Sequence, residues 1–323
     1  MKVLVFGAGA WGTTTAIHLA RKGARVVLWV YENDLAHEMV EVGENRRYLP
    51  GFPIPKEVVI THDPVGEFDV IVNAVPTQYI RPTWIDWRGK LAGNAPVVSL
   101  SKGIEIGSGL RPTEVLGQVL GQERGLGVLT GPCIAIEIAK GLPTAAVLAG
   151  KAVAKFQPLF NSNLFRVYTS DDLVGAELSG AVKNIMGIAA GIVDGLELGD
   201  NAKAALLTRA VVEVARLGVA FGAQPETFNG LAGFGDLLTT CVSPHGRNRS
   251  FGERLGRGES VEEILNSRAS VTEGVPTTKA VMEMAKKKGI EMPITEVIYR
   301  IVFDGLDPRS GVNALMTRTL RPE

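Results

Sequence analysis

Met1-Lys-Val-Leu-Val-Phe-Gly7-Ala-Gly9-Ala-Trp-Gly12 opens the chain. The apolar run 3–6 reads as a short buried strand, and it runs directly into Gly7, Gly9 and Gly12 at the spacing G-x-G-x-x-G. Residues 13–22 are amphipathic and predict a helix. Strand, glycine turn and helix in this order are the context that a dinucleotide-binding fingerprint requires. Gly7 permits the tight turn, Gly9 presents no side chain to a pyrophosphate, and Gly12 lets helix and strand pack closely. The anion would rest on the N–H groups of the helix N-terminus, where the dipole favours negative charge.

Outward from this stretch, residues 1 to about 150 alternate short apolar runs with amphipathic ones. Strand candidates are 3–6, 25–30, 58–61, 70–75, 97–100 and 127–129. Near-continuous apolar strands belong to a parallel sheet covered on both faces. Their alternation with helices predicts an α/β fold with an N-terminal Rossmann-type doubly wound sheet. The proline-rich stretch 45–55 predicts a loop. Past residue 170 the strand patterns vanish. Asp171 and Asp172 offer caps for a long apolar helix that runs past Lys183. Helical patterns then cover 202–221, 261–265, 276–288 and 295–303, and Gly222, Gly289 and Gly305 stand where helices stop. The expected organisation is a dinucleotide-binding domain over residues 1–170 and an all-helical substrate-binding domain over 171–323.

A chain of 323 residues is long enough for two domains with cores of their own. Its 34 basic and 34 acidic side chains cancel, and no conspicuously basic tail argues for a nucleic-acid partner. Cys133 and Cys241 alone make neither a disulfide framework nor a metal site, and they point to a reducing compartment. The most apolar long segment, 180–199, contains Lys183, Asp194 and Glu197, so no integral membrane segment is expected. A cytoplasmic protein follows from these readings.

The second strand candidate leads into Tyr31-Glu32-Asn33-Asp34. An acidic residue about 20 positions beyond the glycines commonly holds the ribose hydroxyls, and Glu32 or Asp34 fits that role. No Arg or Lys lies between Trp29 and Leu35 to receive a 2′-phosphate, so the sequence leans to NAD over NADP, with Arg46 or Arg47 left as a possible later arrival.

Four further stretches place polar groups beside glycine. Lys102-Gly103 follows a strand candidate, where an ammonium can polarise a carbonyl or hold a phosphate. Gly131-Pro-Cys133-Ile-Ala135 again follows a strand; no histidine is near Cys133 in sequence, which favours a pocket-lining residue over a nucleophile. Lys183 and Asn184 interrupt an apolar helix, and burying a lysine is costly unless it is used or paired. Desolvation suits such a lysine to general-base work on an alcohol. Asp236 follows a glycine turn and either caps a helix or poises Lys183, and Arg247-Asn248 offer a fork and an amide for a phosphate dianion.

Together these residues resemble the NAD(P)-dependent glycerol-3-phosphate dehydrogenases. The match runs in order through nearly the whole chain, through Gly7–Gly12, Tyr48-Leu-Pro50, Lys102-Gly103, Gly131-Pro132, Gly180-Ala-Val-Lys-Asn184, Asp194-Gly195, Asn201-Ala-Lys203, Gly235-Asp236, Arg247-Asn-Arg249 and Glu291-Met-Pro-Ile294. The resemblance implies reversible reduction of dihydroxyacetone phosphate to sn-glycerol 3-phosphate, the phospholipid backbone, by a homodimer. By position it makes Lys183 the proton acceptor and Lys102 and Asp236 its active-site partners. Lys102, Gly131, Cys133, Lys183, Asn184, Asp236, Gly246, Arg247 and Asn248 fall where the family meets substrate. Gly7, Gly9, Ala10, Trp11, Gly12, Tyr31, Glu32, Lys102, Ala135, Arg247, Val271 and Glu273 fall where it meets the dinucleotide. Three positions depart from the pattern: Tyr31 stands where bacterial members carry Arg or His, Cys133 replaces a small hydroxyl residue, and Gly246 replaces a serine. Competing expectations are a lysine-dependent 3-hydroxyacid dehydrogenase, whose substrate lacks the phosphate, and a non-catalytic dinucleotide sensor, which needs the glycine loop alone.

Overall fold

The structure, a computed structural model, describes residues 1–121, 123–267 and 271–319; the end of the expected second domain, 320–323, lies outside them. Packing divides the chain into two units, neither of them contiguous in sequence. The first comprises Met1–Ser101 and Pro112–Ala176, the second Lys102–Arg111 and Glu177–Glu323.

The first unit is built on one sheet of β1 (Lys2–Phe6), β2 (Arg25–Trp29), β3 (Val59–Thr61), β4 (Val70–Asn73), β5 (Val97–Ser99), β6 (Leu126–Thr130), β7 (Thr144–Ala149) and β8 (Phe165–Ser170). Their spatial order is β3-β2-β1-β4-β5-β6-β7-β8. The pairings from β3 through to β6 are parallel. Helices α1 (Ala10–Arg21), α2 (Asn33–Val42), α3 (Thr77–Trp87), α4 (Pro112–Leu120), α5 (Ala135–Ala139) and α6 (Gln157–Phe160) connect them. Every residue of β4 and β5 is buried. Because successive side chains point to opposite faces, this requires cover on both sides of the sheet. The chain order reverses at β1, which pairs with both β2 and β4. In doubly wound sheets, ligands bind beyond the carboxyl ends of the strands at such a switch point. Here that end is Gly7.

Six strands coincide with the sequence expectation to within two residues. Two do not appear in it. β7 runs antiparallel to β6, and β8 runs parallel to β7, so the sheet is mixed rather than wholly parallel. The helix expected over 13–22 begins earlier, at Ala10, directly on the glycine loop.

The second unit is helical: α7 (Leu173–Gly195), which enters it at Glu177, then α8 (Gly199–Ala220), α9 (Asp236–Val242), α10 (Arg247–Gly256), α11 (Val261–Asn266), α12 (Gly274–Lys288), α13 (Pro293–Phe303) and α14 (Pro308–Met316). The Asp172 carboxylate caps α7 by accepting from the Gly175 N–H at 2.9 Å, as the sequence anticipates. Leu178, Val182, Ile185, Met186, Ile188 and Ile192 of α7 are at most 2% exposed, each worth about 1.5–3 kcal/mol of burial. Among the described residues α7 is the one helix long and apolar enough to cross a membrane, and its most apolar window is entirely buried within the protein. Its Gly187, Gly191 and Gly195 lie against residues of α9 and α10. Gly222, Gly289 and Gly305 hold positive φ of +88°, +65° and +70° just past α8, α12 and α13.

Candidate active site

In the first unit the glycine loop is shaped for an anion. Gly7 turns the chain at φ +121°, and a Cβ there would press on the Ala74 backbone at 2.9 Å. A Cβ on Gly12 would overlap the Gly7 carbonyl oxygen, so α1 can lie this close to β1 only with glycine. Gly9 caps α1 from extended backbone without any side-chain cap, and nothing lies within 4 Å of where its Cβ would be. Ala10 and Trp11 form the uncapped first turn. The Trp11 indole N–H is buried with no hydrogen-bond partner among the described residues. An open cradle at Gly9, an uncapped helix start and an orphaned donor within the first turn fit a bound dinucleotide. Ala135 begins α5, and its carbonyl accepts from Thr14 Oγ1 at 3.3 Å, tying that helix to α1.

The loop after α2 adds residues the motif reading left aside. Asn45 is fully buried and donates to the Ala8 carbonyl at 2.7 Å and to Thr13 Oγ1 at 2.8 Å. Its own carbonyl oxygen accepts from the Tyr48 N–H at 3.1 Å. Tyr48 Oη donates to Glu32 Oε1 at 2.9 Å, and burial with the Glu32 carboxylate pushes the Tyr48 phenol up from its ordinary pKa. Arg47 donates to Asp34 Oδ2 at 3.0 Å and lies 4.0 Å from Glu32. That hydrogen bond holds the Asp34 carboxyl below the usual carboxylate range. Tyr31 is 70% exposed, its ring edge-on to Trp29. Gly131 follows β6 at φ +127°, and Cys133 packs half-buried against the apolar core of this unit.

The second unit gathers the polar residues that the sequence scattered over 150 positions. Asp236, the first residue of α9, is 1% exposed. Its Oδ2 accepts from Lys102 Nζ at 2.7 Å, and its Oδ1 accepts from Lys183 Nζ. Lys183 Nζ also donates to Thr240 Oγ1 at 2.7 Å, one turn further along α9. One buried carboxylate thus serves two ammonium groups, that of the buried Lys183 and that of the partly buried Lys102. Such burial is tolerated only with hydrogen bonds of this kind, and removing the shared anion would leave two like charges facing each other. A five-residue π-helical turn, Leu231–Gly235, delivers the chain to Asp236; π-turns are rare and frequently mark functional positions.

A chain of amides extends the cluster. Asn184 Nδ2 donates to the Lys102 carbonyl at 2.8 Å, Asn248 Nδ2 donates to Asn184 Oδ1 at 2.9 Å, and Asn248 Oδ1 accepts from the Gly274 N–H at 3.0 Å. Asn248 lies in the first turn of α10, whose cap position, Gly246, has no side chain to occupy the helix N-terminus. A Cβ at Gly246 would sit 3.0 Å from the Thr240 carbonyl oxygen. Arg247 is exposed beside it and donates to the Val271 carbonyl at 3.1 Å. Glu273, the cap residue of α12, lies two positions further on.

Residues 2–155 match the family model for the NAD-dependent glycerol-3-phosphate dehydrogenase N-terminus, and residues 172–313 match that for its C-terminus. The chain belongs to the glycerol-3-phosphate dehydrogenases. A glycerol-3-phosphate dehydrogenase [NAD(P)+] of Chlorobium limicola is 43% identical, the match covering 100% of this chain and 99% of that one. One of Streptomyces coelicolor is 45% identical over 100% and 98%. The crystal structure of glycerol-3-phosphate dehydrogenase from Coxiella burnetii superposes with a TM-score of 0.93 at 38% identity, covering 98% of this chain and 99% of that one. For a glycerol-3-phosphate dehydrogenase, the residues of interest divide cleanly. Gly7, Gly9, Ala10, Trp11, Gly12, Tyr31, Glu32, Gly131, Cys133 and Ala135 lie in the first unit, and Lys102, Lys183, Asn184, Asp236, Gly246, Arg247, Asn248, Val271 and Glu273 in the second. Thr240 and Asn45 join these residues through the hydrogen bonds above and have no counterpart in the sequence reading. Thr240 had one available signal, its four-residue spacing from Asp236, which puts both on one helix face.

Proposed function

We propose that this chain reversibly reduces dihydroxyacetone phosphate to sn-glycerol 3-phosphate, with Lys183 giving the proton in reduction and taking it in oxidation. The observation that carries this reading is the single buried Asp236 carboxylate holding the ammonium groups of Lys183 and Lys102. The fit of the glycine loop supports NAD(P)H there, which supplies the hydride to the substrate's carbonyl carbon. Lys183 Nζ transfers a proton to the carbonyl oxygen as that carbon is reduced, and solvent restores it. Asp236 and Thr240 fix the direction of Nζ throughout. Lys102 adds a positive charge beside the oxygen that becomes negative. Arg247, Asn248 and the uncapped start of α10 receive the phosphate dianion. Asn184, Gly131, Cys133 and Gly246 complete the substrate contacts by family position, and Val271, Glu273, Ala135 and Tyr31 the dinucleotide contacts. Glu32 favours NAD by accepting from the ribose hydroxyls.

The product would feed phospholipid synthesis in the cytoplasm. A homodimer is part of the same reading, supported by the exposed apolar side chains Phe234, Leu238 and Val242 at successive turns. The test is steady-state reduction of dihydroxyacetone phosphate with NADH and with NADPH. Turnover with both, faster with NADH, is expected. Equal turnover of dihydroxyacetone lacking the phosphate would overturn the substrate assignment, and a clear NADPH preference would overturn the role given to Glu32.

A further inference from the structure

The rim beyond β2 carries a second charged group that the glycine motif does not call for. Arg47 comes from the loop after α2, yet its guanidinium sits 3.0 Å from Asp34 and 4.0 Å from Glu32. Its place is built in by hydrogen bonds. The buried Asn45 amide ties this loop to the Ala8 carbonyl and to Thr13, inside the dinucleotide fingerprint itself. Tyr48 then pins Glu32 from the other side of Arg47 in sequence. The glycine loop, the ribose-facing carboxylate and Arg47 therefore form one hydrogen-bonded piece of the first unit.

We infer that Arg47 is the 2′-phosphate receptor of this enzyme, and that the Glu32–Arg47 pair sets its choice between NAD and NADP. With NAD, Glu32 accepts from the ribose hydroxyls and Arg47 stays on Asp34. With NADP, the 2′-phosphate would meet the Glu32 carboxylate, a like-charge encounter that on its own excludes the ligand. Arg47 offsets it. The Arg47–Asp34 pair is exposed, with side-chain exposures of 37% and 72%, and exposed pairs contribute little. Exchanging it for a fork-shaped contact with a phosphate dianion is favourable. The arginine that usually follows the second strand is absent here, since Tyr31 and Glu32 occupy those positions, and Arg47 supplies the same chemistry from a different segment.

The inference rests on dinucleotide binding at the glycine loop, and binding experiments separate the two. Adenosine 2′,5′-bisphosphate and adenosine 5′-monophosphate differ only in the 2′-phosphate, and their affinities can be measured by calorimetry without turnover. Arg47→Ala is expected to lower the bisphosphate-to-monophosphate affinity ratio about tenfold, as loss of one charged hydrogen-bonding group does. Glu32→Gln is expected to raise it, and Arg47→Ala in that background to cancel the gain. The same variants should shift the NADPH-to-NADH ratio of kcat/KM in the same directions. An unchanged ratio in Arg47→Ala, whether both affinities fall together or neither moves, would overturn the assignment. Failure of both nucleotides to bind the wild-type protein would instead overturn the reading of the glycine loop, whereas failure of the bisphosphate alone would overturn the assignment of Arg47.

Discussion

At the scale of single residues, the cluster on Asp236 makes Lys183 the group whose loss is most informative. Lys183→Ala removes the proton donor but leaves the glycine loop, which belongs to the other unit, untouched. The expected outcome is a fall in kcat of about 10²–10⁴-fold, the usual range for a positioned acid or base, with NADH affinity by fluorescence titration near that of the wild type. Normal turnover would remove Lys183 from the chemistry. Cys241 offers a different check on α9, the helix that begins with Asp236. Its thiol is fully buried, and desolvation pushes its pKa up to about 12. The folded protein therefore holds a proton there that the unfolded chain releases near pH 9, so this group's contribution to stability declines as pH rises from about 9 towards 12. With almost no thiolate and no access, Cys241 should resist iodoacetamide at pH 8 in the native protein and react only after denaturation, as peptide mapping would show.

At the scale of elements, the packing of α7 against α10 decides where the proposed phosphate contacts stand. The two helices meet backbone to backbone. A Cβ on Gly191 would overlap the Arg249 carbonyl oxygen, and one on Gly252 would overlap that of Ile188. The far end of this seam is tied by Asp194, which accepts from Lys203 at 2.7 Å and from Arg249 at 2.6 Å. Gly191→Ala would force α10 outward and carry Arg247 and Asn248 with it. A loss of about 1–3 kcal/mol is expected for such overpacking, seen as a lower Tm together with a raised KM for dihydroxyacetone phosphate. This seam also explains what the sequence concealed. Helix α10 contains only Phe251 and Leu255 as large apolar residues, and Asn248 and Gly252 complete its buried face, so little apolar periodicity announces it. Strand β7, Thr-Ala-Ala-Val-Leu-Ala, is half alanine, a residue depleted in strands. Strand β8 alternates buried Phe165 and Val167 with exposed Arg166 and Tyr168, the half-solvated pattern of a sheet edge, not the near-continuous burial of β1, β4, β5 and β6. The strands up to β6, the glycine loop and the cap of α7 were legible because each combines a local pattern with a stop or start residue. The meeting of Lys102, Lys183 and Asp236 was legible through the family resemblance and not through any local pattern. Their common location depends on helix packing that no local pattern encodes.

At the scale of the whole molecule, dinucleotide binding should be visible as stability. A ligand at 100 times its Kd stabilises the folded state by about 2.7 kcal/mol, and about 2–4 °C per kcal/mol applies to units of this size. A rise of about 5–10 °C in the melting of the first unit is expected on adding NADH at that excess. Calorimetry showing no shift would rule out binding there. The division of the chain has a consequence for its synthesis. Neither unit is encoded by one uninterrupted stretch, because Lys102–Arg111 belongs to the second unit although it lies within the sequence of the first. As the polypeptide leaves the ribosome, the sheet is complete once Ala176 has emerged. At that moment Arg111 awaits Glu177, the next residue, and Lys102 awaits Asp236. At about 5–20 residues per second, the nascent protein spends several seconds carrying a lysine whose carboxylate has not yet been made. Expressing the first 176 residues alone would freeze that interval into a permanent state, a peptide with a finished sheet and a stranded cationic strap.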